Sequence, residues 1–231
     1  MKDVTKMKLF SRKECWVPTA GGWLALAVLL LSGAALTTRF LNSFLSVIAP
    51  VPAEVLVVES WSPDYVLQRA MSEFRRGGYR RLITSGSGLP ENWKSSIYRT
   101  SAELSAATLA AMGLETNLIV AVSPPKAARD RTYTAALAVR AWLESTNMGV
   151  RAVNLYSLGP HSRRSRLLYQ KALGSRVKVG VIASPDNSYD PKRWWATSNG
   201  VTDVLAEGIA YLYARILFHP QERLALDRMP Q

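Results

Sequence analysis

Two kinds of hydrophobic pattern divide this chain. From Val17 to Thr38 no charged residue occurs, and the centre, Trp23 to Leu31, is apolar on every face a helix could present. About 20 such residues cross the hydrocarbon layer of a bilayer, so residues 20–38 are expected to form one transmembrane helix. Beyond Ala53, short runs rich in Val, Ile and Leu alternate with longer helical periodicities, the signature of βαβ units and a parallel sheet. Strands are expected at 55–58, 82–85, 118–122, 152–157 and 177–183; the first and third are nearly continuous apolar runs, as central strands buried on both faces require. Helices are expected over 62–76, 98–112, 132–145, 162–173 and 201–218. In the last of these, Val204, Leu205, Ile209, Leu212 and Ile216 fall on one face.

This pattern predicts an α/β fold with a doubly wound, mainly parallel sheet of about five strands, Rossmann-like and three-layered, preceded by one transmembrane helix. The expected organisation is an N-terminal tail (1–19), the anchor (20–38), a linker (39–53) in which Pro50 and Pro52 stop any helix, the α/β domain (54–219) and a C-terminal tail (220–231). In such sheets ligands bind along the carboxyl edge of the strands, which directs attention to the loops 59–62, 86–94, 123–131, 158–162 and 184–197.

Charge gives the anchor a direction. Lys2, Lys6, Lys8, Arg12 and Lys13 precede the apolar segment and only Arg39 follows it closely. Positive flanks stay cytoplasmic, so the N-terminus is expected inside and the domain outside a bacterial inner membrane, in the periplasm or beyond. A cleaved signal peptide is the rival reading, with Gly33-Ala34-Ala35 as the small residues at a cut site, and it exports the domain equally. The formal net charge of +12 suits an anionic membrane surface or an anionic ligand. No recognition motif accompanies it, so nucleic acid is not the expected partner. Cys15 is the only cysteine, which excludes an intramolecular disulfide.

The loops carry the candidate chemistry. Gly159-Pro160-His161-Ser162 opens onto Arg163, Arg164 and Arg166. An imidazole exchanges protons near neutral pH, and arginines at a helix N-terminus suit phosphate or carboxylate; a loop-bracing histidine with solvated arginines is the plainer reading. Ser85, Gly86 and Ser87 combine hydroxyls with a glycine that lets backbone approach an anion, or form an ordinary turn. Arg131 and Thr132 precede a helix, where one of Asp130 and Thr132 caps and the arginine can pair with an anion. Glu103 and Glu207 lie within helices and become candidate bases or metal ligands only if they face the crevice. Asp186, Asp190, Trp194 and Trp195 populate the last loop, the tryptophans packing, stacking on a sugar or resting against lipid. There is no zinc spacing of Cys and His, no dinucleotide-binding glycine motif and no nucleophile elbow, so no metal site is legible and the cofactor is left unknown.

In order along the chain come Val55-Leu56-Val57-Val58, Arg69-Ala70, Ile83-Thr84-Ser85-Gly86, Glu103, Met112-Gly113-Leu114, Arg131-Thr132, and His161 with Arg163, Arg164 and Arg166. Their order and spacing resemble the SanA-, YdcF- and ElyC-like proteins, a bacterial envelope family, over residues 54–217. The resemblance implies a doubly wound fold, a pocket built from these same loops and a role in envelope polymer metabolism with lipid-linked sugar carriers. Two positions depart from the family: Glu59-Ser60-Trp61-Ser62 stands where a glycine-containing turn is usual, and Ala135 where an asparagine is common.

Two functions are therefore expected. The first is a membrane-anchored protein of cell-envelope or exopolysaccharide biogenesis acting on a phosphate-bearing or lipid-linked glycan, with His161 as general acid or base and Glu103 as a supporting carboxylate. Ser85, Gly86, Ser87, Arg131, Thr132, Arg163, Arg164 and Arg166 would bind the ligand. The second is a non-catalytic module that binds an anionic ligand for an envelope polysaccharide machine.

Overall fold

The computed structural model describes residues 16–89, 97–124, 130–146 and 148–220. The basic residues between Lys2 and Lys13, Cys15, and parts of the second and third loops lie outside these. The chain divides after Arg39 into two units. The first contains most of helix α1 (Ala20–Leu45), which is long and apolar enough to cross a membrane and has no part of its most apolar stretch buried. A helix apolar on every face suits lipid better than a one-sided protein core.

The second unit is an α/β domain, and its sheet is built as the alternation of short apolar runs and helical segments dictates. Among the described residues the strands are β1 (Ile48–Ala49), β2 (Val55–Glu59), β3 (Arg81–Ser85), β4 (Ile119–Val122), β5 (Ala152–Leu158) and β6 (Lys178–Ser184), in the order β1-β6-β5-β2-β3-β4. All neighbours pair in parallel except β1 with β6. Helices α2 (Asp64–Gly77) and α3 (Ser101–Ala111) cover one face; α4 (Arg131–Ser145) and α5 (His161–Leu173) cover the other, and α6 (Ser198–Ile216) adds Ala214 to that second core.

Strand β2 shows why the sheet sits in the middle. Its side chains alternate, Val55 and Val57 joining the α4–α5 core and Leu56 and Val58 the α2–α3 core, and all four are fully buried. Burying each such side chain stabilises the fold by roughly 1.5–3 kcal/mol. The helices change face between β2 and β5, and that switch point opens a crevice at the carboxyl edge.

Two expectations change. Residues 40–53, expected as a linker, belong to the domain: α1 continues to Leu45, which is fully buried, and Ile48–Ala49 adds an antiparallel edge strand to β6. Polar side chains of the domain hold this segment. Ser162 Oγ accepts from Val47 N and donates to Leu45 O, while Asn154 Oδ1 accepts from Val51 N and its amide donates to Val51 O. The helix ends at Leu45, ahead of both prolines, and the chain after it pairs with the sheet instead of standing off as a stalk. The second change concerns α6. Of the apolar face expected there, Val204 alone is buried; Leu205, Ile209, Leu212 and Ile216 are exposed.

Candidate functional site

The carboxyl ends of β2 and β3 and the N-termini of α3, α4 and α5 converge on a cavity of about 500 Å³. Its walls are Glu59 and Trp61 after β2, Ser85, Gly86 and Ser87 after β3, Ser101 at the start of α3, and Asp130, Arg131, Thr132 and Ala135 on α4. His161, Arg164 and Tyr169 of α5 and Glu207 of α6 complete it. Each helix N-terminus presents a positive dipole end, so three of them facing one space favour an anion there, although the first N–H groups of α3 are taken by Ser87 O and Thr100 Oγ1.

Gly86 is dictated by close approach. A Cβ at this position would collide with the Ser101 side chain and lie 2.9 Å from the Ser60 Cβ. The turn after β2 is pinned to its neighbours, Ser60 N donating to Ser85 O and Ser105 Oγ to Ser60 O. Asp130 has φ 51, a left-handed conformation that costs a non-glycine residue energy and is held at the head of α4 without a side-chain capping bond.

The floor is a chain of charges, Glu59 and His161 buried and Glu207 and Arg164 half-buried. His161 occupies the first turn of α5 with Nδ1 2.7 Å from Glu207 Oε1 and Nε2 3.3 Å from Glu59 Oε1. Arg164 grips Glu207 with two bonds, Nε to Oε2 at 2.7 Å and Nη2 to Oε1 at 3.0 Å. Ser165 Oγ donates to Glu59 Oε1 at 2.8 Å. Burial opposes charge on His161, and so does the helix dipole, but the carboxylates of Glu59 and Glu207 outweigh burial and push its pKa up to about 9. Burial likewise works against the Glu207 carboxylate, yet its bonds to His161 and Arg164 bring its pKa down to about 2. Glu59, opposed by still deeper burial, is also held below the usual carboxylate range by His161, Ser157 and Ser165.

At neutral pH the row is therefore carboxylate, imidazolium, carboxylate, guanidinium. In that state His161 Nδ1–H donates to Glu207, and the 2.9 Å approach of Arg164 Nη2 to the same nitrogen is a contact without a shared proton. Trp61 lies edge-on to the imidazole, ring centroids 4.8 Å apart. Tyr169 OH donates to Ser85 Oγ at 3.1 Å, and burial with the nearby Glu59 charge raises its pKa, so it stays a neutral donor.

Two atoms of cavity-lining residues are incompletely used. Glu59 Oε2 and His161 Nε2 are buried with no aligned hydrogen-bond partner among the described residues, Nε2 having only the oblique ion pair to Glu59 Oε1. One is an acceptor and the other, on an imidazolium, a donor. Among the described residues no His, Cys, Asp and Glu cluster is placed to hold a metal ion.

Of the residues expected from sequence, Ser85, Gly86, Ser87, Arg131, Thr132, His161 and Arg164 line the cavity. Three do not. Glu103 closes a capping box at the start of α3, its Oε2 accepting from Arg99 N at 2.7 Å and Thr100 N at 3.3 Å, while its own N donates to Thr100 Oγ1 at 3.1 Å. Arg163 turns to the other side of α5, where it donates to Phe44 O and lies over the Phe44 ring. Arg166 donates to Val179 O at 3.0 Å. Successive helical residues point about 100° apart, so a helix-borne run of arginines cannot aim at one ligand. Glu59 escaped singling out although an acid ending a wholly buried strand is itself a signal; Glu207 faces the crevice, the condition on which its candidacy rested.

No protein-family model and no curated protein matches this sequence.

Proposed function

We propose that this is a membrane-anchored protein of the bacterial cell envelope whose cavity takes the phosphate-bearing end of a small or lipid-linked glycan, as the resemblance to SanA-, YdcF- and ElyC-like proteins implies. The N-terminus lies in the cytoplasm and the domain on the far side of the inner membrane. The observation that carries the reading is that Glu59 and His161, each with a buried and incompletely used atom (Oε2 and Nε2), line one cavity with Arg131, Arg164 and three helix N-termini. The cationic elements take a phosphate; the donor–acceptor pair takes a hydroxyl beside it, either water or a sugar OH. With water in that place the reaction is hydrolysis of a phosphoester: water adds to phosphorus, its proton passes to Glu59, the P–O bond breaks, and the leaving oxygen takes the proton of His161.

A binding role without turnover is the second reading. It is favoured by the closed charge row, in which both nitrogens of His161 face carboxylates and no hydroxyl or thiol among the described residues is hydrogen-bonded to the imidazole.

The test uses the purified full-length chain in detergent with a polyprenyl-phosphate sugar, the same glycan without phosphate, and inorganic phosphate. Preferential binding of the phosphate-bearing compound, weakened by Arg131→Ala, supports both readings. Release of phosphate or sugar that is abolished by His161→Asn selects the first. Equal binding of the phosphate-free glycan, or binding unaffected by Arg131→Ala, refutes the site assignment.

A further inference from the structure

Helix α6 has two contrasting sides. Val204 and Ala214 are buried and Glu207 lines the cavity, whereas Leu205, Ile209, Leu212 and Ile216 face outward with 45%, 70%, 56% and 62% of their surface exposed. Their spacing of four, three and four residues makes one stripe about 16 Å long. Tyr213 and Leu217 extend it, exposed by 49% and 67%. Patches of this kind on a folded domain mark a surface that meets something apolar.

Covalent continuity indicates what that is. Phe40 follows by one peptide bond on the apolar helix, and the turns Phe40–Leu45 pack against α6 within the domain. The Phe44 and Tyr211 rings meet at 5.7 Å, edge to face, and Leu41 and Leu45 approach Gly208 closely. The turns that pack on α6 are therefore continuous in the chain with the apolar helix. Arg215 borders the stripe and is exposed, suited to anionic headgroups, and Tyr213 has the ring and hydroxyl that favour a membrane interface.

We infer that the outer face of α6 rests on the lipid surface, with Leu205, Ile209, Leu212 and Ile216 entering the boundary between headgroups and acyl chains. The inference rests on the apolar helix being retained as a membrane anchor, and it adds a consequence for the cavity: α6 carries Glu207 on its inner side, so docking sets the cavity wall one helix away from lipid. A substrate held in the bilayer by its own tail then reaches the site without leaving the membrane.

A second copy of the chain is the rival occupant, because the same spacing serves a helix-pair seam. Lipid is favoured since the turns that pack on α6 are covalently continuous with the apolar helix, whatever the protein concentration.

The experiment uses the full-length chain with Cys15→Ser, which removes the only cysteine. Single cysteines replacing Ile209 or Leu212, and a control replacing the exposed Glu115 near the α2–α3 side of the sheet, carry an environment-sensitive fluorophore. The protein is reconstituted into phosphatidylethanolamine–phosphatidylglycerol vesicles. The labels at 209 and 212 are expected to shift to the blue and to lose most of their emission to lipids bearing a nitroxide high on the acyl chain, less to a deep nitroxide, while the label at 115 is unaffected. Emission indifferent to both nitroxides in carbonate-resistant protein overturns the docking alone. Protein that carbonate extracts overturns the anchor and the docking with it. Disulfide-linked dimers through position 209 without lipid quenching assign the face to a second copy.

Discussion

The charge row in the cavity makes a prediction that a titration can check. His161 is raised from an ordinary 6.5 to about 9, and the cause includes Glu207, whose own carboxyl falls to about 2. Replacing Glu207 by Gln removes one of the two carboxylates beside the imidazole and the bidentate partner of Arg164. A shift of this size on His161 corresponds to a stabilisation on the order of 3 kcal/mol; the Glu207 shift describes the same coupled pair and is not added to it. The sign follows from each group. The His161 part is fully present below its unfolded value near 6.5 and is lost as pH rises through about 9. The Glu207 part is present above its unfolded value near 4.5 and is lost as pH falls toward about 2. The row therefore stabilises most between those two unfolded values. Glu59 stays beside the imidazole in Glu207→Gln, so on the order of half of this stabilisation is lost, and thermal melting of the full-length protein across pH should show the variant lower by roughly 3–6 °C in that window, the gap narrowing on the alkaline side. NMR reports the imidazole directly, because His161 and His219 are the only histidines and His161→Asn assigns the signals. A His161 resonance that titrates at or below 6.5 in the wild type, or does not move down in Glu207→Gln, refutes the reasoning.

Other substitutions separate framework from site. Gly86→Ala forces a Cβ into Ser101 and Ser60 and should cost about 1–3 kcal/mol while weakening ligand binding, since the cavity wall must move; melting and binding isotherms measured on one preparation check both effects. Glu103→Ala with Thr100→Ala removes the capping box of α3 and should cost about 1 kcal/mol with binding unchanged; a large loss of binding at full stability would return Glu103 to the site.

The sequence by itself determined the layers of this protein, because the period of a hydrophobic pattern follows from backbone geometry. Val55-Leu56-Val57-Val58 cannot bury both sides of a strand unless helices cover both faces, and a helix apolar from Trp23 to Leu31 on all sides is long and apolar enough to cross a membrane. Loop positions at the carboxyl edge were legible for the same reason, which brought His161, Arg131 and Ser85 to attention. Direction of side chains on a helix was not. Arg163, Arg164 and Arg166 look alike in sequence, yet Arg164 alone of the three reaches Glu207, the others meeting backbone carbonyls at Phe44 and Val179. Glu103 and Glu207 are equally unremarkable in sequence; one caps a helix and the other closes a charge row with a residue 46 positions away. The stripe on α6 shows the same division. Its period announced an apolar face, and only the packing of Val204 against the fold left Leu205, Ile209, Leu212 and Ile216 facing outward, because long-range contacts decide which side of an amphipathic helix the core occupies.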